Sequence, residues 1–201
     1  MATFPSLQAL CTAALSCTSC GLANGRTQVV PGEGSSTADV MFIGEGPGYH
    51  EDQQGKPFVG PAGKLLDDLI GLIEMNRSDV YIANMVKCRP PGNRDPLPEE
   101  VDACQPWLTG QIKLIDPKLI VTLGRHSLQR FLPGASINKV HGQPRDVNGR
   151  TIMPVHHPAA ALYQATLRPT LEADFKKIPS LLAHTDEVPA AESEPKQLGL
   201  F

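Results

Sequence analysis

Four short apolar runs, Asp39–Ile43, Val80–Ala83, Leu119–Leu123 and Thr151–Val155, alternate with stretches of helical spacing, and this alternation restricts the chain to a small set of folds. Between the first two runs, Ala62–Glu74 puts Leu65, Leu66, Leu69, Ile70 and Ile73 on one helical face. A second helix, opened by Pro98, Glu99 and Glu100, runs to about Ile115 with Val101, Cys104, Leu108, Ile112 and Ile115 inward. A third follows Gly124, and a last one covers Thr170–Ala183. Strands joined through helices are parallel, so the expected fold is α/β with a central, mostly parallel four-stranded sheet. The 201 residues suffice for one such core.

Open parallel sheets bind ligands beyond the carboxyl ends of their strands. Here those positions hold Gly44-Glu45-Gly46-Pro47-Gly48, Asn84-Met85-Val86-Lys87-Cys88, Gly124-Arg125-His126 and His156-His157-Pro158-Ala159. A carboxylate, an amide, histidines and a thiol on one rim mark the expected active site. The first segment is not a nucleotide loop: it lacks the Gly-x-Gly-x-x-Gly and Gly-Lys-Ser/Thr patterns, and Glu51 and Asp52 would repel phosphate. Its glycines and proline instead allow a tight turn close to a ligand. Glu45 and Glu51 are read two ways, as groups that place a water or as loop and cap hydrogen-bond acceptors.

Cys17-x2-Cys20 and Cys88-x15-Cys104 imply a metal centre, since a close pair and two single thiolates suit tetrahedral zinc or an iron–sulfur cluster equally. Cys11 falls in the apolar pattern Leu7, Leu10, Cys11, Ala14, Leu15 and reads as packing. Disulfides are rare in the cytosol, where the absence of a signal-peptide pattern and of a long apolar run places the chain, without a membrane association.

The formal charge of −3 is concentrated in the tail: from His184 onward stand Asp186, Glu187, Glu192 and Glu194 against Lys196, leaving 17 acids and 17 bases before it. A neutral body excludes a protein that coats nucleic acid through a global basic field. Nucleic-acid contact would have to come from local clusters such as Lys87, Arg89 and Arg94, or Arg125, His126 and Arg130.

The segments Gly44-Glu45-Gly46-Pro47-Gly48, Glu51-Asp52, Gly55-Lys56-Pro57-Phe58-Val59-Gly60 and Ala62-Gly63 resemble the first motif of the family 4 uracil-DNA glycosylases. Tyr81-Ile82-Ala83-Asn84-Met85-Val86-Lys87-Cys88-Arg89-Pro90-Pro91 and His157-Pro158-Ala159 match further motifs, and the resemblance extends from about Cys17 to Leu182. It implies a three-layer α/β/α domain over residues 1–183 with a 4Fe-4S cluster on Cys17, Cys20, Cys88 and Cys104, in a structural role. The activity implied is monofunctional: uracil is flipped from DNA, a step that costs a few kcal/mol, and its N-glycosidic bond is hydrolysed, leaving an abasic site for base excision repair.

The resemblance also assigns roles. Phe58 would stack on the base, Asn84 would read its Watson–Crick edge, Gly46 would line the uracil site, and His157 would donate to uracil O2. In family 1 enzymes an aspartate stands where this chain has Gly46, so Glu45 and Glu51 are the carboxylates left to position water or stabilise the oxocarbenium ion. A related subfamily bonds covalently to uracil-DNA through a histidine in a basic insert. The stretch Arg89–Pro96 lacks that insert, so turnover is expected, with a non-catalytic or covalent uracil-DNA-binding iron–sulfur protein as the alternative. Residues 184–201 form an acidic, proline-containing tail of disordered composition. Its end, Gln197, Leu198, Gly199, Leu200 and Phe201, resembles the bacterial sliding-clamp-binding peptide, with Gly199 departing from it. The implied protein is a cytoplasmic, nucleoid-associated bacterial monomer.

Overall fold

The computed structural model describes residues 4–185; His184 and Thr185, assigned above to the tail, end the last helix, and the rest of the tail with its clamp-like peptide lies outside the described residues. The elements run α1 (Leu7–Ala14), β1 (Glu33–Gly34), β2 (Val40–Gly44), α2 (Tyr49–Gln54), α3 (Pro61–Leu72), β3 (Tyr81–Asn84), α4 (Pro98–Ile115), β4 (Leu119–Leu123), α5 (Arg125–Phe131), α6 (Ile137–Val140), β5 (Arg145–Val147), β6 (Arg150–Val155), α7 (Pro158–Tyr163), α8 (Arg168–Phe175) and α9 (Ile178–Thr185), with short 3-10 turns between some of them.

The sheet has six strands rather than four, in the order β1-β3-β2-β4-β6-β5. The four central strands are the expected ones and are mutually parallel, whereas β1 and β5 add antiparallel edges. Both edges are short and carry no apolar run: β1 is Glu33–Gly34 and β5 is the largely exposed Arg145–Val147. Their pairing comes from chain neighbours in space, which leaves no periodic signature. The C-terminal helix expected over Thr170–Ala183 is two helices, α8 and α9, with Lys176 and Lys177 at the break and Pro179 just inside α9.

Side chains alternate across β2. Val40 and Phe42 enter one core with Leu66, Leu69 and Ile70 of α3 and Leu171 and Phe175 of α8. Met41 and Ile43 enter the other with Leu108 and Ile115 of α4. Each face of the sheet is thus covered by helices, and the ring of Phe42 stacks on that of Phe175 at 5.5 Å. The chain crosses from β2 to β3 on one side and then returns past β2 to β4 on the other. That reversal opens a crevice between the carboxyl ends of β2 and β4, where ligands of such sheets bind.

Candidate active site

A cavity of about 430 Å³ lies at this crevice, lined by Glu45, Gly46, Glu51, Phe58, Asn84 and His157 along with loop residues. The structure therefore gathers every rim residue singled out in the sequence for base or water contact. Register explains part of this: Gly44 pairs with Asn84, and Leu123, just before Gly124, pairs with Val155 just before His156 and His157. Two glycines make the crowding feasible. A Cβ on Gly44 would lie 2.4 Å from Asn84 Oδ1 and 2.7 Å from Phe58 Cζ, and one on Gly124, whose φ is +89°, would lie 2.9 Å from His157 Cβ.

Asn84 ends β3 and is 1% exposed, yet its Oδ1 has no hydrogen-bond partner. A buried carboxamide oxygen left unpaired is costly, and such groups mark sites awaiting a ligand donor. Phe58 is buried with its ring 5.7 Å from that of His157, and its backbone sits in the left-handed region at φ 51°. The Arg77 guanidinium braces this conformation by donating to the carbonyls of Phe58, at 3.2 Å, and Pro57. Arg77 is itself held by Glu33 of β1 and Asp67 of α3, at 3.1 and 2.9 Å.

His157 caps α7: its Nδ1 accepts the Ala159 N–H at 3.0 Å. Nδ1 being an acceptor, the neutral ring carries its proton on Nε2. Burial pushes its pKa down to about 4, despite the opposing charge of Glu51, so the ring is a neutral donor at physiological pH. His156 points elsewhere, its ring 4.8 Å from that of His141.

The two carboxylates differ. Glu51 Oε1 accepts the N–H groups of Val59 and Gly60, both at 2.9 Å, and Oε2 accepts that of Gly48 at 3.1 Å. Of its two sequence readings, the loop-holding one matches these bonds. Glu45 is freer, with Oε2 3.6 Å from His126 Nε2, which in turn is 3.2 Å from Asp95 Oδ2. Burial raises the Glu45 pKa above the ordinary value, helped by Asp95 and opposed by His126 and Arg125.

The basic clusters divide. Lys87 is 2% exposed and cannot reach DNA. Arg89 stacks over Tyr49 at 5.2 Å, Arg94 makes a bidentate pair with Glu100 at 2.9 and 2.7 Å, and Arg125 pairs with Asp95 at 3.1 Å. Two mouth residues were not legible in the sequence: Asn93 sits in a polar loop, and Tyr163, 93% exposed, had only its position shortly after the His-Pro pair as a clue.

Beside the crevice, Cys17, Cys20, Cys88 and Cys104 line one enclosed space with Leu22, Val29 and Trp107. Three donors already aim at the sulfurs: Trp107 Nε1 at Cys17, 3.3 Å; Arg26 Nη1 at Cys88, 3.2 Å; and the Lys87 N–H at Cys104, 3.2 Å. Cys11 is apart, with its sulfur 3.6 Å from the Tyr81 hydroxyl.

Residues 31–180 match the profile of the Uracil DNA glycosylase superfamily. The chain is 47% identical over 186 residues to the type-4 uracil-DNA glycosylase of Sulfurisphaera tokodaii, covering 88% of this chain and 84% of that one. It is 49% identical over 177 residues to the type-4 enzyme of Saccharolobus solfataricus, covering 83% and 82%. With that of Archaeoglobus fulgidus the identity is 45% over 176 residues, covering 83% and 88%. With a crevice at the switch point of its sheet and this likeness along most of its length, the chain belongs to the uracil-DNA glycosylase superfamily, in the type-4 family.

Proposed function

We propose that this protein is a monofunctional uracil-DNA glycosylase, and the observation that carries the reading is the unpaired, buried Asn84 Oδ1 in a cavity shared with Phe58 and neutral His157. Uracil offers an N3–H donor beside an O4 acceptor. A carboxamide supplies the matching acceptor and donor, whereas cytosine presents the reverse pattern and would leave Asn84 mismatched. Phe58 stacks on the flipped base. As the C1′–N1 bond breaks, its electron pair moves to uracil, and the His157 Nε2–H donates to O2 where negative charge gathers; one such donor is worth about 3 kcal/mol. Water adds its oxygen to C1′ and gives up a proton, with Glu45 as the group that places it. Glu51 holds the Gly48 and Val59–Gly60 loops around the sugar and lends its charge to the same region. Tyr163 at the mouth contacts the duplex beside the extruded base.

Cys17, Cys20, Cys88 and Cys104 are assigned to a 4Fe-4S cluster. The shared space around the four sulfurs and the three N–H donors aimed at them suit thiolate ligands, and the resemblance to the family 4 enzymes is what selects the cluster over zinc. Cys17, Cys20, Cys88 and Cys104 would hold the cluster between the segment of Cys17 and the start of the Arg89–Arg94 loop, where it would supply a structural tie. The tail, through Gln197, Leu198, Leu200 and Phe201, would tether the enzyme to a sliding clamp and raise its effective concentration at DNA; binding of a 185–201 peptide to purified clamp tests this separately. The main test incubates the protein with an oligonucleotide carrying one uracil and measures free base and alkali-labile sites. Release that is lost in His157→Ala supports the reading, and tight binding without release would move the protein to a binding role.

A further inference from the structure

One buried polar path lies outside the cavity. Lys87 Nζ donates to the main-chain oxygen of Asn84 at 2.8 Å and to Gln111 Oε1 at 2.6 Å. Gln111, fully buried, donates from Nε2 to Pro31 O at 2.7 Å and to the Tyr81 hydroxyl at 3.1 Å. The Lys87 N–H points at the Cys104 sulfur at 3.2 Å, and the next residue is Cys88. Here an ammonium is buried against two neutral acceptors, with no carboxylate among its hydrogen-bond partners. Such burial is expensive, and the two acceptors, Asn84 O and Gln111 Oε1, fix where Nζ sits.

The placement serves a particular residue. Asn84 is the last residue of β3; beyond it the chain turns, held by Met85 N–H to Gly44 O at 3.0 Å and Val86 N–H to Glu45 O at 3.1 Å. The Asn84–Met85 peptide is thus held on one side by its N–H, and the Asn84 Cα–Cβ direction follows that plane. Lys87 holds the other side of the same peptide by gripping the Asn84 carbonyl, so that the plane is fixed at both its N–H and its oxygen.

We propose that Lys87, braced by Gln111, is a positioning residue for base recognition, holding the Asn84 peptide so that its carboxamide meets the uracil edge. The proposal rests on the glycosylase reading. It makes the cysteine centre and the base pocket two ends of one five-residue span, Asn84–Cys88, with the lysine as the rigid link.

The test is a double-mutant cycle of wild type, Lys87→Met, Asn84→Ala and the pair, each as the full cluster-loaded chain. Single-turnover uracil release, binding to abasic-site DNA and the visible absorbance of the cluster are measured. A displacement of about 1 Å can cost on the order of 100-fold in rate. Lys87→Met is therefore expected to slow release roughly 10- to 100-fold, with abasic-site binding and absorbance unchanged, and to add nothing once Asn84 is alanine. An equal loss in both backgrounds would show a general structural role and overturn the proposal, as would full activity in Lys87→Met. If Lys87→Met fails to retain the cluster, Lys87→Met/Gln111→Met, which leaves no orphaned Gln111 oxygen, enters the same cycle under the same criteria. Failure of wild type to release uracil would instead overturn the glycosylase reading.

Discussion

The neutral His157 predicts an unusual pH profile. Its pKa near 4 lies well below the ordinary 6.5, because burial disfavours the charged ring and Nδ1 is committed to the Ala159 N–H. At pH 5.5 an ordinary histidine is neutral in roughly one molecule in ten, whereas a group with a pKa near 4 is neutral in nearly all. Uracil release at saturating enzyme, followed in single turnover from pH 4 to 8, should therefore hold its plateau to about pH 5 and halve near pH 4. The same displacement acts on folding. The unfolded chain takes up the proton at about 6.5, before the native state does, so the stabilisation is full above pH 6.5 and is lost as pH falls toward 4. At about 1.4 kcal/mol per pH unit this amounts to about 3 kcal/mol. His157→Gln should flatten that part of the melting-temperature profile. Glu45, whose pKa is raised, is the group that could mimic the kinetic effect, so the profile is repeated in Glu45→Gln. A tenfold fall between pH 7 and 5.5 that persists in Glu45→Gln would show that His157 titrates as an ordinary histidine and would refute the donor tautomer.

Gly44→Ala should abolish most uracil release while shifting stability by only about 1–3 kcal/mol, since the new methyl meets Asn84 and Phe58 side chains; kinetics beside a thermal melt distinguishes the two effects. Cys88→Ser should lose iron and visible absorbance, whereas Cys11→Ser, outside the sulfur space, should keep both by iron assay. Glu51→Gln keeps one acceptor oxygen for the three N–H groups that Oε1 and Oε2 now share, and should cost about 1–3 kcal/mol in denaturant unfolding; an unchanged midpoint would contradict its loop-holding role.

What could be read from the sequence follows from where the information is stored. The four central strands carry β-branched apolar runs because both faces are buried, so Leu119–Leu123 was placed to the residue and the others to within one. The Pro98 start of α4 was legible from its proline and acidic first turn. The edge strands and the break near Lys176–Lys177 were not, because Glu33–Gly34 and Arg145–Val147 owe their extended form to partners distant in sequence. In the site, His157, Asn84 and Phe58 were identified by resemblance, but the tautomer of His157 and the orphaned Asn84 oxygen are properties of packing. Likewise Lys87, grouped with surface bases in the sequence, is interior because its four-carbon stem turns toward Gln111. Glu51 stood even between two roles, and its bonds to three N–H groups match the loop-holding one.

The Arg77 brace changes where the pocket should be considered to end. The ring of Phe58, proposed to receive the base, is positioned through the carbonyls of Phe58 and Pro57, those carbonyls by one guanidinium, and the guanidinium by Glu33 in a two-residue edge strand. Stiffness at the base platform is thus borrowed from the rim of the sheet, through a residue that never approaches the substrate. Selectivity in this enzyme has an outer foundation, and a change at Glu33 or Arg77 would register first as a softer choice of base rather than as a less stable protein.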